Sequence, residues 1–120
     1  MAGDFSQDAL ILVAHGSTEN TKSSEPTRAM AEFIRAQSIF NEVACAFKLE
    51  EPKIDEVTDL VNSRRVFVVP VTISEGRFTQ EVIPFDLGLR LKDESNYSRA
   101  GTVRGKELIY CKPVGTHSLM

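Results

Sequence analysis

The sequence predicts an α/β fold built on a four-stranded, mostly parallel sheet flanked by helices. Three observations predict it. Four short runs, Ala9 to Ala14, Glu42 to Phe47, Arg65 to Ile73 and Glu107 to Cys111, have the length and apolar character of buried strands. Segments with helical periodicity separate them, in the order strand–helix–strand–helix–strand–helix–strand. The first and third runs are nearly continuously apolar, as suits central parallel strands covered on both faces.

Taken in order, the first strand ends at His15-Gly16-Ser17. Ala29, Phe33, Ala36 and Phe40 then recur at i, i+4, i+7 and i+11, with Met30 and Ile34 alongside, and predict an amphipathic helix over about Glu25 to Phe40. Ser24 reads as its N-cap, and Pro26 fits its first turn. Lys48, Glu50 and Glu51 follow the second strand, and Ile54, Val57, Leu60 and Val61 mark a shorter helix. Pro70 cannot donate to a ladder, so it marks a bulge in the third run or the end of its pairing. Ser74-Glu75-Gly76-Arg77 comes next, and Phe78 to Leu91 predicts a third helix that Pro84 starts or kinks. Residues 92–105 are polar without an apolar period and read as a mobile loop, as do residues 1–8. The last strand leads into Gly115-Thr116-His117.

The chain has 120 residues, 42% apolar and 26% charged, which predicts a single domain able to bury a core without disulfides or a structural metal. A net charge of −3 leaves no basic footprint for nucleic acid. No apolar stretch is long enough to span a bilayer. Residues 1–8 lack the basic-then-apolar order of a secretory signal, so the expected location is cytoplasmic. Cys45 and Cys111 fall within apolar runs and read as buried free thiols.

Ligands of open α/β sheets bind beyond the carboxyl ends of the parallel strands. The only two histidines, His15 and His117, both follow predicted strands. Two imidazoles and a carboxylate suit a borderline divalent metal, and imidazole is also a base for work near neutral pH. The plainer readings stay open: a strand-end histidine also serves as a hydrogen-bonding group, and Glu50 and Glu51 also read as solvated residues before Pro52.

Four segments then stand out in combination: LILVAHGST, CAFKLEEP, VFVVPVTISEGRFTQEVIP and PVGTH. In this order they resemble the strand-and-loop segments of the class II tetrapyrrole chelatases, the sirohydrochlorin cobaltochelatase and ferrochelatase group, from about Ala9 to His117. The resemblance implies a chelatase-like three-layer sandwich. It implies insertion of a divalent metal (cobalt, iron or nickel) as substrate into a tetrapyrrole of sirohydrochlorin type, with no organic cofactor. It implies that His15 holds the metal and takes pyrrole protons. Either Glu50 or Glu51 supplies the acidic group, with Glu50 assigned to catalysis and Glu51 to the metal. Where many members carry a second metal-site histidine after the third strand, this chain has Phe78, so either His117 supplies the second imidazole, as its GTH loop allows, or the site is incomplete. Ser17 and Arg77 are expected to contact the macrocycle, Arg77 through its rim carboxylates or else as a solvated helix-start residue. Short chelatase-like chains resemble half of longer two-domain members, which implies a homodimer.

Two rival functions follow from the same residues. One is a chelatase-like module that binds metal or tetrapyrrole without turnover. The other is a histidine phosphocarrier, since mannose-type phosphotransfer domains also place a histidine and glycine after a first parallel strand. A rim bearing Glu50, Glu51 and Glu75 repels the phosphate that a carrier must hold.

Overall fold

A computed structural model of the chain describes residues 5–19, 22–72, 76–89 and 99–114. Five strands form one sheet: β1 (Ala9–Ala14), β2 (Glu42–Phe47), β3 (Arg65–Pro70), β4 (Ala100–Val103) and β5 (Lys106–Tyr110). Their order is β2-β1-β3-β5-β4. β1 pairs in parallel with β2 and β3, and β3 in parallel with β5, while β4 runs antiparallel at the edge.

β1 explains why its apolar run is unbroken. All six of its residues are buried, with Ala9, Ile11 and Val13 in one core and Leu10, Leu12 and Ala14 in the other. Successive strand residues face opposite sides, so both faces must be covered. Helix α1 (Glu25–Ala36) covers the side of Leu10 and Leu12. Helix α2 (Ile54–Val57) and helix α3 (Ile83–Leu87) cover the side of Ile11 and Val13 through Ile54, Val57, Ile83 and Leu87. The result is the expected three layers. None of the helices among the described residues is long and apolar enough to cross a membrane.

Three expectations change. The stripe of Ala29, Phe33 and Ala36 does not face the core: all three are exposed, Phe33 at 69%. The buried line of α1 runs through Thr27 and Ala31, flanked by Met30 and Ile34. Close approach of a helix to a sheet favours small side chains at the contact, and Ala31 fits where Phe33 does not. Next, Ala100–Val103, read as loop, is the strand β4. It joins β5 through Arg104 and Gly105, both with positive φ, as a two-residue hairpin turn of primed type demands. Finally, the helical turn after β2 closes at Val57, so Leu60 lies 60% exposed while Val61 stays buried.

Pro70 is the last residue of β3, opposite Val13. Pairing does not stop dead there, because the Val71 N–H still donates to the Val13 carbonyl at 2.7 Å. Beyond β3, Phe78–Val82 forms a π-helical turn that runs straight into α3. Pro84 is thereby the second residue of α3 within a continuous helical stretch, where it has no N–H to donate back to the π-turn, and the Thr79 carbonyl accepts the Tyr110 hydroxyl.

Candidate functional site

The topology singles out one place on the rim. From β1 the chain moves outward to β2, then returns across β1 to β3, so the strand order reverses between β1 and β3. Such a reversal opens a crevice at the carboxyl ends of the two strands. His15 follows β1 immediately, and Phe78 opens the first turn after β3. Their rings meet across the reversal, with centroids 4.9 Å apart and planes inclined by 48°. His15 is exposed at this rim.

The loop after β2 grips the loop after β1. The Leu49 N–H donates to the His15 carbonyl at 2.9 Å. The Ser17 N–H donates to Glu50 Oε2 at 2.8 Å. Gly16, between them, has a φ of +77°, and a Cβ there would lie 2.9 Å from the same Glu50 oxygen. Only glycine tolerates both that φ and that proximity.

The other oxygen of Glu50 faces α1. Oε1 accepts the Ser24 hydroxyl at 2.8 Å and lies 3.7 Å from the Arg28 guanidinium. Ser24 is fully buried, and the Glu50 side chain is only 9% exposed. Ser24 therefore does not do what its position suggests. Its hydroxyl makes no capping bond to α1 but bonds Glu50 instead, while accepting Arg28 Nε at 3.2 Å. Arg28 also reaches the Glu51 carbonyl at 2.9 Å and stacks on the Phe47 ring, its guanidinium carbon 4.6 Å from the centroid. Burial pushes the Glu50 carboxyl up. The Ser24 hydroxyl, the Ser17 N–H and the Arg28 charge outweigh it and hold the group below the usual carboxylate range.

Glu51 differs from its neighbour. Its side chain is exposed and, among the described residues, has no hydrogen-bond or ion-pair partner. Ser17 is half-buried, its Oγ accepting the Glu19 N–H at 3.1 Å. Arg77 stands exposed at the start of the π-helical turn, its Nε 3.6 Å from Glu81 one turn on. Lys48 bonds Asp86 of α3 at 3.0 Å, tying the acidic loop to the layer behind β3. His117 lies outside the described residues, as do Ser74, Glu75, Gly115 and Thr116. Among the described residues no three histidine, cysteine, aspartate or glutamate side chains converge on one point.

Phe78 is held by its surroundings. Thr79, buried beside it, accepts the Gly76 N–H at 2.9 Å, and the Tyr110 hydroxyl donates to the Thr79 carbonyl. A π-turn frees a carbonyl from the α pattern, and π-turns often mark functional sites. Cys45 is a buried free thiol as expected, whereas Cys111, the first residue after β5, is free but only half-buried; burial pushes both thiols up, away from the reactive thiolate.

Sequence reasoning placed His15, Glu50, Glu51, Ser17 and Arg77 along this rim, and the structure brings Glu50 against the His15 loop. It overlooked Arg28, and it put Ser24 at the N-cap position of α1, where the structure has it, without the bond its hydroxyl makes to Glu50. Both act across 22 to 26 residues of chain, where no local pattern shows the pairing.

The CbiX family model matches residues 9–120. A "Probable sirohydrochlorin cobaltochelatase" of Halobacterium salinarum is 42% identical over 122 residues, which cover 93% of this chain and 42% of that protein. The chain therefore spans less than half the length of this relative. A "Sirohydrochlorin cobaltochelatase" of Methanococcus maripaludis is 30% identical over 128 residues, covering 90% of this chain and 88% of that protein. Among solved structures, a multi-domain protein of Deinococcus radiodurans described as structurally similar to chelatases superposes with a TM-score of 0.82 at 30% identity. That match covers 92% of this chain and 25% of that one.

Proposed function

The chain belongs to the CbiX family, and from that premise we propose that it inserts a divalent metal ion into a tetrapyrrole of sirohydrochlorin type. Cobalt is the metal in the names of the two relatives, and iron and nickel are the other candidates. The single observation that carries the reading is the exposed His15 imidazole at the β1–β3 reversal, whose loop is bonded by the loop after β2 that also holds the exposed Glu51.

Charge balance sets the chemistry. A divalent ion entering the ring replaces two pyrrole N–H protons, so the site must offer both a metal donor and a proton acceptor. A neutral imidazole does either, and its ordinary pKa of about 6.5 suits proton exchange near neutrality. In this reading His15 presents the metal and, once the ion has passed to the ring, takes one pyrrole proton, while Glu51 supplies the second donor and then takes the other proton. His117 completes the set as the other imidazole. Arg77, exposed beside the crevice, meets a rim carboxylate of the macrocycle, and Ser17 binds at its edge. The tetrapyrrole has two faces and the exposed rim meets one of them, so the reading includes a homodimer with the second copy facing the other.

The test is anaerobic, absorbance-monitored cobalt insertion into sirohydrochlorin by purified protein. Acceleration over the uncatalysed rate supports the reading, and its absence removes it. The Phe78 ring, apolar and packed on His15, favours a second reading in which the chain binds metal or tetrapyrrole without turnover. Calorimetric binding with no acceleration would select that one.

A further inference from the structure

Both oxygens of Glu50 are engaged within the protein, one by the His15 loop and the other by the start of α1. Oε2 receives the Ser17 N–H and Oε1 the Ser24 hydroxyl, with Arg28 beside it. Meanwhile Leu49, its chain neighbour, fixes the His15 carbonyl. Hydrogen bonds thus hold the His15–Ser17 backbone on both sides of Gly16, whose lack of a side chain leaves the opening for the carboxylate. Without these bonds a glycine at that point leaves the loop free to pivot.

We propose that Glu50 is a positioning residue: its carboxylate, braced by Ser24 and Arg28 of α1, locks the His15 loop and so sets the direction of the imidazole relative to Glu51. The proposal rests on the metal-insertion reading above, and it separates the roles of the two adjacent glutamates. Glu51, exposed and unpartnered among the described residues, is the one available to metal or proton. Glu50 acts through the backbone. The same arrangement explains why a buried serine at the start of α1 forgoes its cap: its hydroxyl is the brace.

Cobalt(II) titration of the full chain tests this, comparing wild type, Glu50→Gln and Ser24→Ala by calorimetry and by the visible d–d absorption of the bound ion. Loosening the brace from either side is expected to weaken cobalt binding by roughly 10- to 100-fold, the usual cost of losing an outer partner of a metal-holding group. The d–d spectrum keeps its wild-type shape, because the ligands themselves are untouched. Ser24→Ala leaves the carboxylate in place, so it carries the test even where Glu50→Gln does not fold. A changed spectrum in Glu50→Gln would make Glu50 a ligand, and unchanged affinity in the variants would make its contacts incidental. Either result overturns the positioning role alone. Wild-type protein without cobalt affinity overturns the metal reading, and the positioning role falls with it.

Discussion

At the scale of the residue, carboxylates in this fold act through what they accept. Glu42 at the start of β2 receives the Asn62 N–H, the Ser63 N–H and the Ser63 hydroxyl. Burial pushes its carboxyl up, but those bonds and the Lys106 charge outweigh burial and hold it below its ordinary value. The stabilisation is therefore complete at pH values above the unfolded carboxylate pKa of about 4.3 and is lost as pH falls through the folded value. Glu42→Ala is expected to cost about 1.5–3 kcal/mol at pH 7, the range for hydrogen bonds to a charged group. The gap between denaturant melts of the two proteins should narrow as pH falls below the ordinary carboxylate range, and a gap that stays constant with pH would refute the linkage. Gly16 makes the second prediction. Gly16→Ala places a Cβ at a φ of +77° and 2.9 Å from Glu50 Oε2. Backbone strain alone is expected to destabilise the variant by about 1–2 kcal/mol, read as a lower denaturant midpoint.

At the scale of the element, the central strands were legible and the edges were not. β1 and β2 lie where their apolar runs put them, because a strand buried on both faces leaves an unbroken signal. β4 alternates between exposed and half-buried residues, and its only large apolar side chain is Val103, so nothing in Ala-Gly-Thr-Val departs from a polar loop. α1 shows the opposite trap: its periodicity was real, yet a second stripe through Thr27 and Ala31 makes the contact with the sheet. The candidate site was half legible. His15 and the acidic pair follow strands, which is a local pattern, whereas the Ser24–Glu50–Ser17 brace joins three separate segments and has no local trace. The helix supplies its own check. Phe33→Ala, on the exposed stripe, should shift stability by no more than about 0.5 kcal/mol. Ala31→Leu, in the buried line, should cost about 1–3 kcal/mol by overpacking. Thermal melts of the two variants with the order reversed would contradict the orientation of α1.

At the scale of the whole molecule, function follows from the crossing of the chain over β1. That crossing sets the His15 loop, the acidic loop and the π-helical turn at one end of the sheet. α1 braces the acidic loop from one layer through Ser24 and Arg28, and α3 from the other through Asp86 and Lys48. Both helical layers thus support a rim along which, among the described residues, His15, Glu51 and Arg77 are exposed. The proposed homodimer belongs to this scale, and sedimentation equilibrium at micromolar protein should return twice the chain mass. The most direct measurement is the initial rate of cobalt insertion into sirohydrochlorin, taken side by side for wild type and His15→Ala near pH 7. The account predicts a wild-type rate above the uncatalysed one and a loss of roughly 100-fold or more without the imidazole. A His15→Ala protein that inserts cobalt as fast as wild type would contradict it.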